Sequence, residues 1–134
     1  MLDFDINWLA VLAATIVSFV IGSLWYSPLL FSKIWQREAK LSDEDIGSGN
    51  MPVIFGTTFV MAGVAAILFA AILGPEPELG DSLLFGLIVG AGWIATSFAT
   101  GYLFERRSLT LWAINAGYNV VLFLAFGLII GLWK

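Results

Sequence analysis

Few residues in this chain could do chemistry inside a membrane. Asn115, Tyr118 and Asn119 stand at i, i+3 and i+4, on one face of a helix. Thr96, Ser97 and Thr100 lie at a comparable depth in the preceding apolar stretch. An unpartnered amide in hydrocarbon costs several kcal/mol, so this face must turn into a bundle or towards water. One reading is a lining for a polar solute or ion. The other is an interhelical hydrogen-bond clamp, with each bond worth roughly 0.6–2 kcal/mol in a bilayer.

Missing residue types narrow the chemistry further. The sequence has no cysteine and no histidine. Disulfides, thiol nucleophiles, a histidine base, and zinc, haem or iron–sulfur ligation therefore drop out, and no cofactor or metal is expected. The apolar stretches hold no Asp, Glu, Lys or Arg, the groups that proton-coupled transport and voltage sensing usually need. Their hydroxyls have no neighbouring base to activate them for hydrolysis. Arg106 and Arg107, next to Glu105, serve either as a topology signal with its own counter-ion or as a contact for an anionic headgroup.

The elements that must carry these residues follow from the charges. Of 134 residues, 60% are hydrophobic and 12% charged, about half the charged share of a soluble domain. Charge-free stretches run over Ile6–Ser32, Ile46–Pro75, Ser82–Phe104 and Ser108–Trp133. Each exceeds the roughly 20 residues that a transmembrane helix needs. We therefore read one all-α membrane domain over 1–134. It is a four-transmembrane-helix bundle with helices at about 7–26, 52–73, 82–104 and 108–133, joined first by a long connection over 27–51. Ser27-Pro28 closes the first helix and Gly74-Pro75 the second. Trp8 with Trp25, and Trp112 with Trp133, are spaced to form aromatic belts.

In the 27–51 connection, Leu30, Phe31, Ile34 and Trp35 alternate in pairs with Ser32, Lys33, Gln36 and Arg37. That is the period of an amphipathic helix lying in the membrane interface, with Pro28 near its first turn. It serves as a connector resting on headgroups or as a docking surface for anionic lipid or a partner. Ser42-Asp43-Glu44-Asp45 then reads as an N-cap with acids in a first turn.

Lysine and arginine set the expected orientation. Lys33, Arg37 and Lys40 lie in the first connection and Arg106 and Arg107 in the third, whereas the second connection and the N-terminus carry only acids. The positive-inside rule makes the basic side cytoplasmic and puts both termini outside. The acidic start does not resemble a cleavable signal. A net charge of −4 with no large basic patch argues against nucleic acid as a partner.

Small residues recur at four-residue steps: Ala10, Ala14, Ser18 and Gly22; Ala62, Ala66 and Ala70; Gly86 and Gly90; Ala113 and Gly117; Gly127 and Gly131. Lipid gives helices no hydrophobic drive to associate, so such stripes mark close helix contacts. A weak internal repeat pairs Ser18-Phe19-x-x-Gly22-x-Leu24-Trp25 with Ser97-Phe98-x-x-Gly101-x-Leu103-Phe104, which would make the duplication parallel.

Several of these segments carry a family resemblance. Asn7-Trp8-Leu9-Ala10, Gly22-x-Leu24-Trp25-Tyr26-Ser27-Pro28-Leu29 with Trp35, Leu41-Ser42-x-Glu44-Asp45-Ile46, Gly49-Asn50-Met51 and Ile114-Asn115-Ala116-Gly117-Tyr118-Asn119 resemble the bacterial membrane family catalogued as domain of unknown function 1761. The resemblance implies a small multi-spanning inner-membrane protein, and it transfers no activity and no catalytic residue. The leading expectation is a non-enzymatic membrane protein acting through association, as a homo-oligomer or an accessory subunit. The alternative is a small oligomeric channel or transporter lined by the Asn115–Tyr118–Asn119 face. An enzyme acting on lipid ranks third.

Overall fold

The computed structural model describes residues 2–133, and every regular element among them is helical. The first span is α1, Trp8–Trp25, and the second is α4, Met51–Leu73. The third runs unbroken over Leu79–Phe104, as α5 (Leu79–Leu87), a π-helical segment (Ile88–Ala95) and α6 (Thr96–Phe104). The fourth is α7, Leu109–Leu132. Two short helices, α2 (Ser32–Glu38) and α3 (Asp43–Gly47), occupy the first connection.

Side-chain caps set four of the helix starts. Asn7, Asn50 and Ser108 each accept a hydrogen bond from the backbone N–H three residues on, satisfying a donor that the first helical turn leaves free. Ser42 is the expected N-cap and forms a capping box with Asp45, the Ser42 N–H donating to Asp45 Oδ2 (2.9 Å) and the Asp45 N–H to Ser42 Oγ (3.0 Å). Hydrogen bonding by the Ser42 backbone N–H, and then by the Ser42 side chain, holds the Asp45 carboxyl below the usual carboxylate range. Gly74 ends the second span at φ 81°, a left-handed conformation that glycine adopts without strain.

Two expectations need correction. The third span starts at Leu79 rather than near 82, because Asp81 belongs to its first turn, where the helix dipole favours an acid. The interfacial helix starts at Ser32, and Pro28 sits in the turn before it instead of in its first helical turn.

The fourth span is the hub. It lies between the third and the first, and the second packs mainly on the first while its Phe69 reaches the third and fourth. Third and fourth spans meet backbone to backbone. A Cβ built at Gly86 would overlap the Phe123 carbonyl, and one at Gly127 the Ser82 carbonyl. At Gly90 it would lie 2.8 Å from Val120 Cα, and at Gly131 3.0 Å from Leu79 Cα. First and fourth spans interlock reciprocally: the Tyr118 ring rests on Gly22 and the Trp25 indole on Gly117. Ala14 and Ser18 are buried beside them, whereas Ala113 is exposed and takes no part.

At the end that carries the termini, Ala10, Ala14, Ala66 and Ala70 close around Phe69, Phe126 and Ile130. Phe69 packs against Phe85, Phe126 and Phe123 with ring centroids 4.9, 5.9 and 6.1 Å away. Such pairs add about 0.5–1.5 kcal/mol beyond area burial. The glycine contacts make a sharp prediction. Gly86→Val should cost at least about 1–3 kcal/mol, since backbone cannot yield to the added atoms. Gly56→Ala, with open space around it, should leave the unfolding midpoint unchanged or raise it. Denaturation in mixed micelles compares the two variants directly.

Candidate functional site

The polar residues gather at the end that carries the first and third connections, around Asn115. Its Oδ1 accepts a hydrogen bond from the Tyr26 hydroxyl at 2.7 Å, and its Nδ2 donates to the Tyr102 hydroxyl at 2.8 Å. One amide on the fourth span therefore ties down the exit of the first and the far end of the third. Tyr26 is placed by the helix stop: α1 ends at Trp25, and the chain turns through Ser27-Pro28. Tyr102, near the end of α6, reaches Asn115 because long helical side chains lean towards their own N-terminus.

Aromatic rings enclose the amide. Tyr26 meets Tyr118 edge-on at 5.4 Å and Trp35 of α2 at 5.7 Å. Phe98 stacks on Tyr102 at 5.7 Å. Two indoles bond across helices to main-chain carbonyls: Trp25 Nε1 donates to Ile114 (2.9 Å) and Trp112 Nε1 to Ala95 (2.8 Å). Ala95 is the last residue of the π segment. Tyr118 donates to the Ser18 carbonyl at 3.3 Å.

The remaining candidates fall elsewhere. Asn119 Nδ2 donates to the Asn115 carbonyl one turn back, a bond within its own helix. Thr96, Ser97 and Thr100 are exposed on the outer side of the third span and do not join the cluster. Thr96 Oγ1 bonds the Gly92 and Trp93 carbonyls, and Thr100 Oγ1 the Thr96 carbonyl, so both are satisfied within the span. Arg106 sits in a left-handed turn at φ 61° and is exposed. Arg107 lies 3.7 Å from Glu105, with both side chains largely in the open. A separate cavity of about 340 Å³ lies at the opposite end of the bundle, lined by Asp5, Asn7, Glu76, Ile130 and Trp133 among others.

Sequence reasoning found Asn115 but missed its partners. An amide carries both acceptor and donor capacity, so a buried Asn demands polar neighbours on other elements. Tyr26 and Tyr102, the other tyrosines of the chain, were the signal. Trp25 and Trp112 read as belt residues, and their indole N–H groups do a second job as interhelical donors.

What the cluster can do is hydrogen-bond. It has uncharged donors and acceptors, each engaged with another part of the chain, and every described buried side-chain polar atom has a partner. Fold and site together define a class: an all-helical membrane protein with four helices long and apolar enough to cross a bilayer, tied at one end by an amide–tyrosine clamp. The chain belongs to the family described as protein of unknown function DUF1761, whose model matches residues 9–131. No curated protein and no solved structure matches it.

The clamp predicts a graded mutational response. Asn115→Leu should lower stability by about 1–3 kcal/mol through loss of two interhelical bonds. Thr100→Val removes only a bond within the third span and should cost under about 0.5 kcal/mol. Unfolding in mixed micelles would show equal losses if the amide merely faced lipid.

Proposed function

We propose that this protein works through helix association in the membrane, as a homo-oligomer or as an accessory subunit of a larger membrane complex, and that it performs no catalysis. The observation that supports this reading is the state of the second span. Pro52 to Met61 are exposed at every position, so nearly three turns of helix have no enclosing neighbour within the chain. Phe59 meets Phe19 at 5.4 Å on one side. Around Gly56 nothing approaches. A free helix with a glycine in its middle, beside Thr57 and Thr58, offers the small surface that lets a second helix come close in lipid.

A pore lined by Asn115, Tyr118 and Asn119 has less support. Both ends of the Asn115 amide are taken up inside the chain, and aromatic rings occupy the space around it. The basic side chains Lys33, Arg37, Lys40, Arg106 and Arg107 favour a cytoplasmic position for the clamp end, with both termini outside a bacterial inner membrane. Of the two arginines in the third connection, Arg106 would be the one to meet an anionic headgroup, since Arg107 already lies near Glu105.

Two measurements test this reading. Native mass spectrometry from lipid nanodiscs should give a multiple of the 14.6 kDa chain or a stable complex with another membrane protein. Gly56→Leu should shift the distribution towards the single chain with no loss of thermal stability. A strictly single-chain particle without partners removes the proposal. Orientation is read separately: with no native cysteine, Ser42→Cys should react with an impermeant maleimide only in inverted vesicles, and Asp3→Cys only in right-side-out ones.

A further inference from the structure

The buried stripe of the third span breaks step. Ser82, Gly86 and Gly90 follow one another at intervals of four, and the next buried residue is Ala95, five further on. The long step falls inside the π segment Ile88–Ala95. A hydrogen bond from i to i+5 closes a ring one residue longer than the α-helical bond, so the segment absorbs an extra residue. Everything after it is turned back by about 100°, the angle of one residue in a helix of 3.6 per turn.

A regular α-helix would continue the small stripe from Gly90 through Ile94 to Ser97 and Gly101. Those two residues stand in the same Ser-Phe-x-x-Gly setting as Ser18 and Gly22 of the first span. There, Ser18 is buried and Gly22 receives the Tyr118 ring. In the third span Ser97 is exposed, and a Cβ at Gly101 would meet only its own helix's Glu105 carboxylate, at 3.8 Å. The sequence thus carries a second packing face that the π segment rotates out of use.

Two bonds from the fourth span hold the rotated register. The Trp112 indole donates to the Ala95 carbonyl where the π segment ends, and the Asn115 amide donates to the Tyr102 hydroxyl in α6. Each is a single side-chain contact, and the fixed contact between the two spans lies earlier, at Gly86 and Gly90.

We infer that the third span is a register switch, in which the π segment relaxes to α-helix and turns α6 by one residue against a fixed α5–α7 contact. In the relaxed register Ser97 takes the place of Phe98, Thr100 that of Gly101, and Gly101 that of Tyr102. Phe98 moves to the place of Ala99 and Tyr102 to the exposed place of Leu103, so Tyr102 leaves the face and the Ser97 and Thr100 hydroxyls come onto it. The same sequence then presents either a face closed by Tyr102 or one that carries two hydroxyls. This goes beyond the association reading and does not depend on it.

A nitroxide scan of residues 96–104 in the full chain, reconstituted in lipid, reads the register through oxygen accessibility. The absence of native cysteine makes the labelling clean. The unaltered chain should show minima at Phe98, Ala99, Gly101 and Tyr102, the half-buried positions of α6. Trp112→Phe with Asn115→Leu should move the minima one residue back, to Ser97, Phe98, Thr100 and Gly101. Deleting Ala91 from that variant removes the extra residue and should restore the original face. Should the double substitution fail to insert, deletion of Ala91 from the otherwise unchanged chain decides. It should insert and keep the original minima, because the helix becomes regular without rotating α6. Minima that stay in place in the double variant, or an Ala91 deletion that rotates the face or abolishes insertion, would overturn the inference.

Discussion

The rest of the structure depends on the backbone contact between the third and fourth spans. Lipid tails are as apolar as leucine, so two helices in a bilayer gain little by merely being hydrophobic. They gain by coming close, and closeness requires that side chains be absent. Gly86 and Gly90 on one helix, with Gly127 and Gly131 on the other, remove them at each crossing point. With the third span fixed against the fourth, the first packs on the opposite side of the fourth through a different device. There, a large ring from each helix fills a glycine notch in the other. The second span is held through the first, through the Phe69 cluster and by the Asp3 N–H bond to the Ala71 carbonyl, all towards one end, so its other half remains free.

Hydrogen bonding then fixes what packing leaves open. Glycine contacts hold the third and fourth spans together near the terminal end, but they do not by themselves set the rotation of α6 at the other end. The Asn115 amide and the Trp112 indole do that, each reaching across to a group on the third span. A polar group in hydrocarbon has no water to fall back on, so these contacts specify an arrangement even where their net energies are modest. The α2 helix adds Trp35 against Tyr26 and so couples the first connection to the same clamp. The polar cluster thereby orders one end of the bundle.

Much of this was legible before any coordinates. Charges are expelled from hydrocarbon, so their positions mark the ends of the spans. The start at Leu79 was misjudged because an acid is tolerated in a first turn, where the free N–H groups welcome it. The face carrying Asn115 was legible from its spacing. The exposure of Ser97 and Thr100 was not, because their orientation depends on an extra residue absorbed upstream. A regular 3.6 period, extended through Gly90-Ala91-Gly92, assigns α6 to the wrong rotation. Tyr26 and Tyr102 also escaped notice, since a tyrosine near a span end reads first as an interfacial anchor.

The close approach itself is open to direct measurement. Solid-state NMR of the chain in lipid, with labels at Gly86 Cα and the Phe123 carbonyl and at Gly127 Cα and the Ser82 carbonyl, reports the separation of the two backbones. The predicted result is a strong short-range cross-peak for each pair, as for backbones in van der Waals contact. Absent cross-peaks, with the helix axes at the 8–10 Å set by ordinary side chains, would contradict the glycine contact and the order of spans built on it.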